Sequence, residues 1–503
     1  MDTTRPRGIV VFGGGTATNS LVDVFEELRN SRDCSLSYII PISDNGGSSS
    51  ELIRVFGGPG IGDIRSRLVR LIPDSKTDAE RASIKELFNH RLSSDPLQAR
   101  SQWLDIVEGR DELWSNIASE KRELIRSIFN LMNLEIVKRA RPSSVFNFSK
   151  ASIGNLFLTG GRVFTGSLES AIYLLSAICG IPPTVSALPA INSNFTHHIS
   201  ASLADGSQIT GQNAISHPSA PTALPDDPAL SMSTGKCAFR QYQQDKLQRE
   251  TEAHDRIEDA TLPGSLPSLR KQYINFSKGG GVSDGAGSGG EDGGGSGSGS
   301  EGEQDLPARI ERIWYINPYG HEIWPLANAK VVSALGGASA IIYSIGSLYT
   351  SLVPSLVLRG VGAAIAAGGW RLRPKILILN SSVDRETGPA AAPLTAADFV
   401  RAIARAAAES QSHFSGWGNE KGEKEKHLGE VRTYVTHLIY LEGEGVPKVQ
   451  KEELAALGID CIRVYGRRVD GMLRYDEAGL ARALEAIVGK PEILRSRRNT
   501  SGQ

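Results

Sequence analysis

Apolar runs of five to eight residues punctuate this chain at 8–12, 36–42, 183–190, 310–317, 339–344, 375–380, 433–440 and 460–465, and each reads as a strand. Helical patterns fall between them, most clearly at 168–179, 327–335, 396–410 and 476–488. Strands alternating with helices predict an α/β protein, a Rossmann-like open, mostly parallel sheet covered by helices. One stretch breaks the alternation. From 76 to 141 the pattern is helical throughout, in segments such as SQWLDIVEGRDELWSNI, which predicts a helical cap beside the sheet.

The pattern also lapses at about 217–305. Of the 24 residues from 279 to 302, 13 are glycine and most others are Ser, Asp or Glu. Such a stretch cannot bury enough apolar surface to offset chain entropy, so it is expected to be disordered. Because strand-like sequence resumes at 310, we read a long loop inserted into one α/β domain spanning 1–490, since closure entropy grows only logarithmically with loop length. The alternative is a flexible linker between independent domains. A charged stretch at about 411–429 reads as a surface loop, and 491–503 as a disordered tail.

Candidate chemistry gathers at the ends of the first strands. GIVVFGGGTATNSL (8–21) runs a short strand into three glycines, then Thr16, then a helix-like pattern. Glycines at such a turn let backbone N–H groups approach a ligand, and the helix N-terminus that follows favours negative charge. The run departs from the dinucleotide fingerprint G-x-G-x-x-G: Gly13 and Gly15 fit, but Thr18 stands where the third glycine belongs. A phosphate-bearing ligand and a purely structural tight turn both remain open on this motif alone. The second strand ends in SDNGGSSSEL (43–52), and IGDIRSRLVRL (61–71) opens a helix with Asp63, Arg65 and Arg67. Three polar, glycine-rich segments at strand ends or helix starts favour a ligand cleft, because loops from neighbouring strands converge there in open α/β sheets.

These motifs, with SIGNLFLTGG (152–161), DGSQITGQ from Asp205 and GSLYTSLVPSL (346–356), resemble in order and spacing the series of the CofD/YvcK family. That family holds the 2-phospho-L-lactate transferases of deazaflavin-coenzyme synthesis and gluconeogenesis-factor-like proteins that bind nucleotide-linked sugars. The GGSS and GSLYTS runs look more like the YvcK branch. The resemblance implies a phosphate cradle at Gly13, Gly14, Gly15 and Thr16, continued by Asn45, Gly46, Gly47 and Ser48. Asp44 and Asn45 lie where the family usually has two adjacent carboxylates. Asp44, with Asp63 from the neighbouring loop, would hold Mg2+ or orient an attacking hydroxyl, since hard oxygen ligands suit magnesium beside substrate phosphates. Asp44, Asp63 and Arg65 are therefore the candidate catalytic residues; ordinary helix caps and a surface arginine are the competing reading.

Asn155 resembles the family's Gly-Asn pair, offering an amide to a base or sugar hydroxyl, or else it simply starts a helix. Gly346, Ser347, Tyr349, Thr350 and Ser351 follow a strand and would wrap the nucleotide or sugar end, although Ser344 and Ile345 replace the family's usual Gly-Pro. Asn380, Glu386 and Thr387 match a further loop more loosely, because Ser381, Ser382 and Val383 depart from its usual residues.

Composition removes other classes. A formal charge of −1 provides no basic field for nucleic acid. Four scattered cysteines suit a reducing compartment, the apolar stretch near 352–369 is too interrupted to span a membrane, and no signal-peptide core is present, so a cytoplasmic location is expected. His197 and His198 are adjacent on a strand and point to opposite faces. There is no HExxH, no G-x-S-x-G and no G-x-x-x-x-G-K-[ST]. Two functions stand: a transferase using a nucleoside diphosphate-linked donor and a hydroxyl acceptor, releasing nucleoside monophosphate, or a non-catalytic UDP-sugar-binding regulator of carbon or cell-wall metabolism. The partner in either is a nucleoside diphosphate-linked small molecule, with self-association left open.

Overall fold

The structure is a computed structural model that describes residues 8–44, 46, 48–73, 78–141, 145–216, 305–367, 373–412, 431–469 and 471–489. The tail at 491–503, the insertion at about 217–305 save its last residue, and the loop at about 411–429 save its first two residues lie outside them.

The strands are β1 (Gly8–Phe12), β2 (Leu36–Ile40), β3 (Val185–Pro189), β4 (His198–Leu203), β5 (Gln208–Thr210), β6 (Ile310–Ile316), β7 (Glu322–Ile323), β8 (Ala338–Tyr343), β9 (Lys375–Ile378), β10 (His437–Tyr440), β11 (Asp460–Arg463), β12 (Gly466–Val469) and β13 (Met472–Tyr475). Seven of them form a parallel sheet in the order β11-β10-β9-β8-β1-β2-β3. The chain builds outward from β1 through β2 to β3, then returns to the other side of β1 as β8 and continues to β11. The order reverses between β1 and β8, and ligands of open α/β sheets bind outside the strand carboxyl ends at such a switch. Ile9–Phe12 are at most 1% exposed, as a central strand covered on both faces requires.

The run at 310–317 is a strand, but not of this sheet. As β6 it pairs antiparallel with β4 and β7 in a four-stranded sheet ordered β5-β4-β6-β7. Apolar length alone does not tell one sheet from another, and β6 alternates less than a half-solvated antiparallel strand would because it packs against the main body through Ile313 and Tyr315. A short hairpin of β12 and β13 was also not expected. The cap is helical as predicted, with helices Ala79–Asn89, Pro96–Glu108 and Ser119–Arg139. Its aromatic centre, Trp103 against Phe129 at 5.4 Å, continues through Phe129 and Phe88 onto Phe157 of helix Ile153–Thr165. That shared packing fixes the cap relative to the loops beyond β1 and β2. Among the described residues no helix is long and apolar enough to cross a membrane.

Candidate functional site

The β1 loop enters a five-residue helix, Gly15–Asn19, with Gly15 at φ +67°, a left-handed conformation that favours glycine. The expected weak point, Thr18, is a fastening. It is fully buried, its Oγ1 donates to the Ile345 carbonyl after β8 at 2.8 Å, and its own carbonyl accepts from Arg67 Nη1 at 3.4 Å. A Cβ on Gly13 would overlap the Thr18 hydroxyl. Threonine thus occupies the space a fingerprint glycine would leave empty, and joins the loops on either side of the switch point. Thr16 lies in this helix.

The β2 loop carries Asp44, whose Oδ1 accepts from the Gly46 N–H at 2.9 Å. The segment after helix Ser48–Phe56 folds over it: Gly60 N–H bonds the Ile42 carbonyl at 2.9 Å, and a side chain on Gly60 would overlap the Asp44 backbone. Asp63 opens helix Gly62–Arg70 and reaches back to the β1 loop. A Cβ on Gly14 would lie 2.6 Å from Asp63 Oδ2, and the Gly15 N–H bonds the same carboxylate. Burial first, and the charge of Asp44 second, raise the Asp63 carboxyl well above its ordinary range. The structure therefore brings Asp44 and Asp63 together across the β1 loop. Asn45 and Gly47 lie outside the described residues, and Ser48 begins the helix that follows.

The β8 loop is clamped from behind by the β9 loop. Asn380 bonds both the N–H (3.0 Å) and the carbonyl (2.9 Å) of Gly346. Glu386, 1% exposed, accepts from the Tyr349 N–H at 2.9 Å, the Thr350 N–H at 3.0 Å and the Thr350 hydroxyl. Ser347 bonds Asp384, which caps the turn Arg385–Thr387, and the Tyr349 hydroxyl donates to Ile310 of β6 at 2.9 Å. Burial, with Asp384 as neighbour, raises Glu386, and burial raises Asp384. The expected hydroxyls of Ser347, Tyr349 and Thr350 are thus bonded within the protein. What this loop turns toward the β1 loop is Gly346, whose missing side chain would sit 3.7 Å from the Gly14 carbonyl, and Ser351, whose Oγ is 4.0 Å from the corresponding position on Gly15.

On the cap side, buried Asn155 reaches Ser49 Oγ at 3.5 Å, and Arg65 Nη1 donates to Asn89 Oδ1 at 3.3 Å. Arg67, 1% exposed, lies over the Tyr38 ring at 4.5 Å and is drawn down to about 10 by burial. On the other side the antiparallel sheet closes in: Ser43 Oγ donates to Gln212 Oε1 at 3.1 Å, and Tyr315 to the Pro354 carbonyl at 3.1 Å. His197 and His198 are both pushed down to about 4 by burial, so both stay neutral near pH 7. Among the described residues no three His, Cys, Asp or Glu side chains gather as a metal cage. The paired carboxylates still suit Mg2+, which is commonly held by one or two carboxylates plus substrate phosphates, and a cation there would offset the repulsion that raises Asp63.

Sequence reasoning took Thr18 only as a departure from the dinucleotide fingerprint and gave Glu386 and Asp384 no role in holding the β8 loop. The spacing of Asp384 and Thr387, an N-cap and its N3 partner, was the available signal for the second.

Over residues 9–463 the sequence matches the family described as 2-phospho-L-lactate transferase CofD. It is 38% identical over 438 residues to the uncharacterized protein YNL011C of Saccharomyces cerevisiae, covering 86% of this chain and 90% of that one. A putative gluconeogenesis factor of a Nostoc species is 23% identical over 476 residues, covering 95% of this chain and 67% of that one. The crystal structure of protein BH3568 from Bacillus halodurans superposes with a TM-score of 0.53 at 17% identity, covering 95% of this chain and 99% of that one, which is a likeness of fold.

Proposed function

We propose that this chain, which belongs to the CofD family, binds a nucleoside diphosphate-linked donor across the carboxyl ends of β1, β2 and β8 and transfers its phosphate-bearing group to an acceptor hydroxyl. The observation that carries this reading is the meeting of Asp44 and Asp63 over the glycine turn at the switch point. The acceptor oxygen would bond to the donor phosphorus while the phosphoanhydride bond to the nucleoside monophosphate breaks. The hydroxyl proton would leave to the carboxylate pair, whose proton affinity is raised. The β1-loop amides and Gly346 would position the diphosphate, and Arg65 would offset the charge that develops as the nucleoside monophosphate departs. A magnesium ion on Asp44, when bound, would neutralise phosphate charge and leave Asp63 to take the proton. Positioning and electrostatics thus supply most of the rate, as in other phosphoryl transfers.

A second reading has a specific support: relatives of this chain include a gluconeogenesis factor of Halalkalibacterium halodurans, 24% identical over 211 residues. In it the same cleft holds a UDP-sugar without turnover and regulates carbon or cell-wall metabolism. The deciding assay follows nucleoside monophosphate release from UDP-, GDP- and other nucleoside diphosphate-linked donors, with magnesium and hydroxyl acceptors. For a transferase, Asp44→Asn lowers turnover about a hundredfold while affinity changes less, the mark of an interaction made in the transition state. Gly14→Val abolishes binding, because its side chain meets Asp63. Tight binding with no release from any pair, and an Asp44→Asn effect on affinity alone, selects the regulator.

A further inference from the structure

On the cap side of the cleft, Arg65 and Arg91 form no ion pair with a carboxylate among the described residues. Arg65 projects from helix Gly62–Arg70 into the groove left by Gly154, where a Cβ would lie 2.7 Å from its Cγ and 2.8 Å from its Cδ. The residue is only 9% exposed, and its Nε has no hydrogen-bond partner among the described residues. Its one side-chain bond is to Asn89, and Arg91 is two residues further along the same segment. Arg91 forms an antiparallel bridge with Ser152, the N-cap of helix Ile153–Thr165. Bonds from Ile153 N–H to the His90 carbonyl (3.1 Å) and from Leu92 N–H to the Ala151 carbonyl (3.0 Å) stitch the two segments together. Arg91 is exposed, and its Nη1 donates only to the Lys150 carbonyl at 3.4 Å.

Both arginines thus meet the start of a thirteen-residue helix, Arg65 with its side chain against Gly154 and Arg91 through its bridge to the N-cap residue Ser152. Burial, then the charge of Arg91, draws the Arg65 guanidinium down to about 10, with Asp63 a smaller and opposite influence. A buried cation that feels a second one opposes folding unless an anion offsets it. A guanidinium pair presents forked donors that match the oxygens of phosphate, and the helix N-terminus favours the same charge.

We propose that Arg65 and Arg91 form a seat for an oxyanion, a phosphate in the first instance, on the cap side of the cleft. The inference rests on reading this cleft as the ligand site, and it adds Arg91 to the residues that hold the ligand. The phosphate has two sources, the diphosphate of the nucleotide itself or a separate phosphorylated group, and competition separates them.

The test measures binding of inorganic phosphate, UDP and GDP to the full chain by calorimetry, for wild type, Arg91→Ala and Arg91→Lys. Arg91 is exposed, so neither variant should melt below the wild type. Expected results are at least a fivefold loss of phosphate affinity in Arg91→Ala, most of it recovered in Arg91→Lys, and a weaker salt dependence in the alanine variant. If phosphate competes with UDP or GDP, the seat takes the nucleotide's own diphosphate; if both bind together, it takes a separate group. Phosphate and nucleotide affinities that are the same in wild type and Arg91→Ala overturn the proposal while leaving the cleft's function intact. Arg91-dependent phosphate binding without any nucleotide binding keeps the seat and overturns the proposed function. A wild type that binds none of the three overturns both.

Discussion

Replacing Thr18 by valine tests whether the β1 and β8 loops are fastened together by one hydroxyl. Valine keeps the branched shape that fills the space over Gly13, so packing is nearly preserved. What is removed is the 2.8 Å bond from Oγ1 to the Ile345 carbonyl, made at a side chain with no solvent exposure. Losing a buried hydrogen bond and leaving its acceptor dry costs about 1–3 kcal/mol. Thr18→Ser is the control: it keeps the donor and loses one methyl, worth about 0.8 kcal/mol. Urea unfolding should therefore show a lower midpoint for valine than for serine, with unchanged steepness. Because Ile345 leads directly into Gly346, which faces Gly14, nucleotide affinity should fall about tenfold in the valine variant and recover in serine, an effect of about 1.4 kcal/mol. If valine and serine variants unfold alike and bind alike, the hydroxyl is not the fastening, and the pairing of β1 with β8 holds the two loops without it.

Two further outcomes follow from the same structure. A raised carboxyl pKa means that the folded chain keeps protons the unfolded chain has already released, so Glu386 (about 8) and Asp384 (about 6) make stability fall as pH rises from the ordinary carboxylate range to about 8. Glu386→Gln retains an acceptor for the Tyr349 and Thr350 amides and should flatten that decline in melting temperature; an unchanged pH slope refutes the assignment. Deleting 279–302 should leave ligand affinity unchanged, and a chain cut there should co-purify as two fragments, since β1 pairs with β8 and β4 with β6 across the gap; fragments that separate and fold alone would establish two domains.

Periodicity carried the parallel sheet because its strands are short apolar runs between helices, a pattern local in sequence. It could not carry which sheet β6 joins, because antiparallel pairing with β4 is a contact between residues about a hundred positions apart. Motif reading likewise points to the loops but not to the distant partners that their side chains bond. Gly14, Asp44, Asp63 and Gly346 do converge, because backbone approach at glycine and a carboxylate at a strand end are local properties. Tyr349 and Thr350 read as ligand hydroxyls only while Ile310 and Glu386, distant in sequence, are out of view. Thr18 read as a broken fingerprint for the same reason: its partner is Ile345, on the far side of the insertion.

The carboxylate pair also bears on the choice between catalysis and binding alone. Without a cation, a site that only holds a diphosphate gains nothing from Asp63 beside the glycine turn, since two negative groups near the phosphates repel them. Burying that carboxylate against Asp44 also raises its proton affinity, which is a standing cost to the folded chain. A transferase uses both properties: Asp63 accepts a hydroxyl proton, and Asp44 with a cation compensates the phosphates during transfer. The regulator reading therefore needs the pair to hold a cation or to have a structural purpose, and the bond from the Gly15 N–H to Asp63 is the contact that supplies the second. Asp63→Asn separates the two, because asparagine keeps an acceptor for that N–H while removing the charge. Stability that is kept or raised, with lost turnover, assigns the pair to chemistry, whereas a chain that melts lower and binds ligand as before assigns it to holding the loop.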